Sequence, residues 1–232
     1  MARRARQATT DSPKTIPVPG RITDLTTQAR DAERINVFIN GDFAMGLART
    51  VVEREGLRVG QELSKENIDA LLEAETYHRA LNASLHFLSY RPRSEGEIRQ
   101  RLRKSGTADD VVDQVIHQLR DWRYVDDADF AHRWVENRLL HRPRGSRLLA
   151  QELRAKGVDA GIVDQALEDA ELDEAAQALE IARKRWSQLA DLDAPVRERR
   201  LIGFLQRRGY DFGSIRHALD ALGAEEEDPG TD

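Results

Sequence analysis

The chain has 232 residues, 40% hydrophobic and 33% charged, with a formal net charge of -5. That is enough apolar material for ordered helices but too little for one thick core, so several small packed units are expected in place of one large domain. Six Phe, four Tyr and three Trp among abundant Arg, Ala, Leu, Glu and Asp argue for helix and against an all-β fold, and the lack of cysteine excludes disulfides, thiolate metal sites and a cysteine nucleophile.

Residues 1–33 read as a flexible basic tail: Arg3, Arg4 and Arg6 are followed by Pro13, Pro17 and Pro19-Gly20, without a periodic apolar pattern that could bury a face. Residues 34–73 read as a β-hairpin plus helix. Ile35-Asn36-Val37-Phe38-Ile39 and Asp42-Phe43-Ala44-Met45-Gly46-Leu47 alternate around Asn40-Gly41, the dipeptide that best tolerates the positive φ of a type I′ turn. Ile35, Val37 and Ile39 are expected on one face with Phe43, Met45 and Leu47, covered by Val51 and Val52 on a short helix. Ser64 is a plausible N-cap, and Ile68, Leu71 and Leu72 follow at helical spacing.

From about Thr76 the chain reads as helix, organised by a repeat. Leu102, Leu153 and Leu205 each precede a glycine by four residues, and Gly106, Gly157 and Gly209 are 51 and 52 residues apart. Beyond the glycines, Val112, Val163 and Ile215 correspond, as do Val115, Ala166 and Ala218, and Ile116, Leu167 and Leu219. Upstream, Arg91-Pro92-Arg93 matches Arg142-Pro143-Arg144, 51 residues on, and Pro195 falls 52 beyond Pro143. One unit is a long first helix, a proline-marked break, a second helix ending at Leu-x-x-x-Gly, and a third helix. Proline disfavours helix in the preceding residue, ending the first helices near Tyr90 and His141. Ser94 and Glu97 form a capping box. Each glycine supplies a left-handed stop, and Asp109, Asp159 and Asp211 stand near the next helix start. The predicted fold is therefore mainly α: an N-terminal β-hairpin, then three tandem three-helix, helix-turn-helix-like repeats over 74–125, 126–172 and 173–223, with an acidic tail over 224–232. Such units bury little alone, so an elongated, curved array is expected.

Charge is segregated along the chain. Residues 90–156 carry 15 basic and 11 acidic side chains, 183–217 carry 9 and 4, and 157–180 carry 8 acidic and no basic ones. Arg91, Arg93, Arg99, Arg103, Lys104, Arg142, Arg144, Arg147, Arg154 and Lys156 gather at the breaks and second helices, and are the expected contacts to a phosphate backbone or an acidic partner. Arg197, Arg199, Arg200, Arg207 and Arg208 form a second set. For any one of these residues a solvated charge is an equal alternative; the clustering carries the functional reading.

Tyr124-Val125-Asp126-Asp127-Ala128-Asp129-Phe130-Ala131, followed by Trp134 and Arg138, resembles the signature of the RecX family. Pro143-Arg144-Gly145, Leu149, Glu152-Leu153 and Lys156-Gly157-Val158 are similar to the family's next stretch, and the Asn-Gly hairpin with Gly56-Leu57 and Gly60 resembles its N-terminal extension. The resemblance covers residues 34–222. Arg123 departs from it, standing where the family commonly has a glycine-like turn residue. What it implies is a monomeric regulator lying in the groove of the RecA filament on single-stranded DNA, damping RecA's ATPase, strand exchange and coprotease activities in DNA repair and the SOS response.

Catalysis is not expected. Asp126-Asp127 reads as a helix cap, because no histidine or third carboxylate follows at ligand spacing; His78 and His86 are eight apart, unlike zinc-helix histidines; and no phosphate-binding or nucleophile-elbow motif occurs. No cofactor or metal is expected, and the lack of a long apolar run points to a cytoplasmic protein that does not contact membranes. The competing functions are a stand-alone helix-turn-helix protein acting on duplex DNA and a scaffold that binds only protein.

Overall fold

The computed structural model describes residues 17–227. Two compact units divide them: one holds the chain up to His86 together with Leu102–Val115, the other Phe87–Arg101 and the chain from Ile116 onward.

In the first unit, β1 (Gly20–Gln28), β2 (Asp31–Ile39), β3 (Asp42–Ala48) and β4 (Glu62–Leu63) form an antiparallel sheet in the order β3-β2-β1-β4. The predicted hairpin is present, with Asn40 at φ 53° and Gly41 at φ 91°. One expectation on it fails. A register shift between Val37 and Phe38 places one extra residue in the pairing, so Ala44 and Met45 are both buried while Phe43 meets Phe38 edge-on at 5.9 Å instead of joining the core. A second correction concerns the tail. Residues 20–28 are a full strand, not flexible chain, yet Ile22 alone of its side chains is fully buried, so the strand carries almost no alternating apolar signal. The rest of that tail, Arg3, Arg4, Arg6 and Pro13 included, lies outside the described residues.

Val51 on α1 (Arg49–Arg54) is buried against this sheet and Val52 packs beside it, as expected. Ile68 and Leu71 complete the core from α2 (Lys65–Leu88), whose start is fixed by a reciprocal cap: Asn67 N–H donates to Ser64 Oγ at 3.2 Å, and Ser64 N–H to Asn67 Oδ1 at 3.0 Å. Glu75 of α2 ties helix to sheet, accepting from Arg34 Nη1 (2.8 Å) and from Ala48 N–H (2.7 Å). Helix α2 passes through positions 73 and 74 without a break, so the N-terminal extension and the first repeat share it.

The repeats follow: α3 (Glu95–Lys104) and α4 (Asp109–Asp121) complete the first; α5 (Asp127–His141), α6 (Ser146–Ala155) and α7 (Ala160–Asp169) make the second; α8 (Glu174–Ser187), α9 (Ala194–Arg207) and α10 (Phe212–Glu227) make the third. Leu102, Leu153 and Leu205 are buried, as are Val112, Val163 and Ile215 and Val115, Ala166 and Ala218. The three glycine stops have φ of 82°, 80° and 87°. Each closes with the same long hydrogen bond, from Thr107 to Leu102 (3.1 Å), Val158 to Leu153 (3.2 Å) and Tyr210 to Leu205 (3.3 Å). Asp159 and Asp211 cap the helices that follow, accepting from Gly161 and Ser214, whereas Asp109 turns to Arg103 at 2.7 Å. The acidic tail begins later than expected: α10 runs to Glu227, and Glu225 is paired with Arg183, Nε to Oε1 3.0 Å.

Within the second unit the repeats interlock. The start of α3 lies on the glycine turn after α6, with Ser94 Oγ donating to Lys156 O at 2.6 Å; the start of α6 lies on the glycine turn after α9, with Gly145 N–H donating to Arg208 O at 2.9 Å. The backbones approach so closely that a Cβ on Gly96 would sit 2.6 Å from Gly157 Cα, and one on Gly145 2.6 Å from Tyr210 N. Only glycine fits at either contact.

Candidate anion-binding junctions

Arginines accumulate where these interlocks form, because the proline break of one repeat brings its flanking cations onto the turn of the next. At the first junction, Glu97 of the α3 capping box is the shared anion. Ser94 Oγ accepts from Glu97 N–H at 3.2 Å, and the Glu97 carboxylate faces Arg91 (2.7 Å), Lys156 (3.4 Å) and Arg93 (3.8 Å). Burial pushes that carboxyl up, but the Arg91 hydrogen bond and the charges of Lys156 and Arg91 prevail and hold it below its ordinary value. Arg93 lies 3.7 Å above the Phe87 ring and Arg101 4.9 Å from it. Burial, then the repulsion of Arg91 and Arg101, lowers the Arg93 pKa against the pull of Glu97.

At the second junction the shared anion is Glu152 of α6. It accepts from Trp134 Nε1 at 2.9 Å and Arg138 Nε at 3.0 Å, and pairs with Arg144. Burial and the neighbouring charges of Arg138, Arg142 and Arg208 lower the Arg144 pKa, so four guanidinium groups share one site. Arg208 donates to Pro143 O at 3.4 Å and lies 4.6 Å over Phe204. Lys156 joins the two junctions: its Nζ is near Glu97 and also 4.2 Å from the Trp134 ring, whose other cation, Arg138, is 4.2 Å away. Even with Glu95 and Asp127 counted at the first junction and Glu174 at the second, cations outnumber carboxylates, leaving a net positive field.

The predicted residues thus fall into two kinds. Arg93, Arg144, Lys156 and Arg208 are half-buried and engaged inside the fold, and so is Arg197, which donates to Trp186 O at 3.0 Å and stacks 3.8 Å over its ring. Arg91, Arg103 and Arg154 are exposed but paired, with Glu97, Asp109 (2.7 Å) and Asp164 (3.2 Å). Arg99 is half-buried and also engaged. Lys104, Arg142, Arg147, Arg199, Arg200 and Arg207 are exposed and form no ion pair among the described residues. Sequence reasoning missed Arg101, Arg138 and both organising glutamates; the i, i+4 spacing of Trp134 and Arg138 was the available signal.

Asp126 caps α5, as read, whereas Asp127 serves the start of α3 instead. Asp126 Oδ1 accepts from Ala128 and Asp129 N–H at 2.9 and 3.0 Å, and Asp127 accepts from Glu95 N–H at 2.8 Å. Burial above all raises the Asp127 pKa, and the Glu95 N–H opposes it. No group of three or more potential metal ligands occurs among the described residues, and no described helix is long and apolar enough to cross a membrane.

Comparison with known proteins assigns the architecture. The RecX N-terminal domain matches residues 20–64, and the first, second and third RecX three-helix domains match 80–119, 126–167 and 172–219. The regulatory protein RecX of Bacillus velezensis is 33% identical over 211 residues, covering 89% of this chain and 79% of the relative; that of Geobacillus kaustophilus is 32% identical, covering 90% and 79%. A crystal structure of a regulatory protein RecX superposes with a TM-score of 0.70 at 25% identity, covering 86% of this chain and 98% of that one. The RecX structure from Lactobacillus salivarius shares the fold, with a TM-score of 0.59 at 22% identity over 65% of this chain and 99% of the other. Four domain matches in order, relatives matched over 79% of their length and the shared fold agree: the chain belongs to the RecX family of regulatory proteins.

Proposed function

We propose that this protein binds the RecA filament on single-stranded DNA and inhibits RecA's ATPase, strand exchange and coprotease activities, as a monomeric, non-enzymatic cytoplasmic regulator in DNA repair and the SOS response. The observation that carries this reading is the surplus of guanidinium groups over carboxylates at both repeat junctions. A fold that needed these arginines only for internal pairing would match their charge, and beside the second junction Arg142 and Arg147 add exposed cations that form no ion pair among the described residues, Arg147 feeling only the field of Asp211. Phosphate oxygens and acidic partner side chains are the natural ligands of such groups. Arg142, Arg147, Arg199, Arg200 and Arg207 are the contacts we assign first, with Lys104 on the first unit. Arg91, Arg99, Arg103 and Arg154 can exchange an internal partner for an external one. The relatives carry the name of regulatory proteins, in keeping with control exerted by binding.

The test is RecA ATP turnover on single-stranded DNA titrated with this protein. Turnover falls at substoichiometric amounts if the reading holds; no effect over a wide titration overturns it. The three-helix modules with glycine turns also fit a stand-alone reader of duplex DNA, and a base-specific footprint on duplex without recombinase would favour that alternative.

A further inference from the structure

The turn between α4 and α5 exposes two aromatic rings that the fold does not use. Trp122 and Tyr124 are 49% and 59% exposed and pack edge to face at 6.2 Å. Between them Arg123 has φ 58°, a conformation that favours glycine. Arg123 N–H donates to Arg120 O at 2.8 Å and Tyr124 N–H to Leu119 O at 2.9 Å, so α4 ends in a left-handed stop with arginine at its strained position.

The next repeat shows that such a stop does not require exposed rings. Helix α7 also ends on a left-handed residue, Glu171 at φ 44°, and there the flanking positions are Ala170 and Leu172, both packed against the core of the second repeat. The first repeat instead places its largest side chains outward. The other two tryptophans lie under cations of the fold, Trp134 under Arg138 and Lys156 and Trp186 under Arg197. No cation of the described residues lies over Trp122.

Charge around the rings selects the occupant. Asp121 immediately precedes Trp122 and faces only His117, at 3.5 Å; Asp126 and Asp127 follow, bonded to backbone N–H groups. Arg120 is neutralised by Glu95, Nη2 to Oε2 2.6 Å, and Asp129 by Arg133 at 2.9 Å. Asp127 is turned to the start of α3 and shares Arg120 with Glu95, so what remains next to the rings in the chain is one guanidinium, Arg123, against the carboxylates of Asp121 and Asp126. Phosphates are repelled by that balance, whereas a lysine or arginine gains both a ring face and a carboxylate.

We propose that Trp122 and Tyr124 form a docking site for a protein surface bearing exposed lysine or arginine, distinct from the arginine junctions. Resting on the function proposed above, the inference places that surface on the recombinase subunits of the filament. The experiment titrates wild type, Trp122→Ala and Tyr124→Ala against a fluorescein-labelled dT oligonucleotide, naked and coated with RecA locked by a slowly hydrolysed ATP analogue. Trp122→Ala weakens binding to the coated strand about tenfold, the scale of an aromatic hot spot, and leaves naked-strand binding within about twofold. Both rings being exposed, thermal melting of the variants stays at the wild-type value. Unchanged affinity of both variants for the coated strand overturns the site alone. An equal loss on the naked strand also overturns it, making the rings a base-stacking platform. Failure of the wild type to bind the coated strand overturns the filament reading and this occupant with it.

Discussion

The two repeat junctions solve one packing problem with different atoms. Where the first repeat meets the second, a side chain makes the bridge, Ser94 Oγ to Lys156 O, and the same serine caps α3. Where the second meets the third, the backbone makes it, Gly145 N–H to Arg208 O, and α6 has no side-chain cap of its own; Glu174 reaches from α8 to accept Ser146 N–H at 3.0 Å. Close backbone approach is the shared requirement, and the chemistry that satisfies it is free to vary. The repeat is accordingly clearer in spacing than in identity.

Substitution at the contact glycines gives the largest effect. Gly145→Ala puts a methyl into backbone atoms that cannot yield and costs about 3 kcal/mol or more, read as a fall in denaturant midpoint; Gly213→Ala, in α10 with only the Asp211 carboxylate within reach of the new methyl, is neutral or stabilises by up to about 1 kcal/mol. Equal costs at the two positions would refute the tight interlock. Removing a central anion comes next. Glu152→Ala strands Arg138, Arg144 and the Trp134 N–H, and costs about 2–3 kcal/mol in chemical unfolding.

Glu97→Gln at the first junction is milder, about 1–2 kcal/mol near neutral pH, because Arg91 is well exposed and its pairing is screened. Its pH dependence has a definite sign. A carboxyl whose folded pKa is depressed contributes stability above its unfolded pKa and loses it as pH falls through the folded value. Wild type and Glu97→Gln therefore converge in acid and diverge toward neutrality, and parallel curves would show that the depression is absent. Smallest of all is the stability change of Arg199→Ala or Arg142→Ala, within about 0.5 kcal/mol, since both are exposed without ion partners. Their expected effect is on binding: each lowers the salt dependence of single-strand affinity by about 0.7 in log–log slope if it contacts a phosphate.

Much of this fold was legible because each repeat depends on a few backbone positions that only certain residues satisfy. Gly106, Gly157 and Gly209 take left-handed conformations, Asn40-Gly41 a tight hairpin, and Asp126 a helix start, and each is marked by residue type. Strand β1 was not legible, because it borrows its order from β2 and buries little itself. The bulge at Val37 and Phe38 was hidden too, since it breaks the alternation by which register is read. At the junctions the arginines were visible and their partners were not: Glu97 was read only as a cap and Glu152 only as part of a family pattern. Which cation turns inward depends on contacts some 60 residues apart in the chain, such as Lys156 with Glu97.

The indole of Trp134 has a further consequence. Its ring lies beside two cations, and its N–H is bound to a carboxylate that one of them, Arg138, helps to hold. Indole emission follows the local electric field, so a polyanion that draws Arg138 or Lys156 away changes the colour and yield of this fluorophore. The second junction thereby carries its own optical reporter, readable without a label once the two other indoles, Trp122 and Trp186, are replaced by phenylalanine.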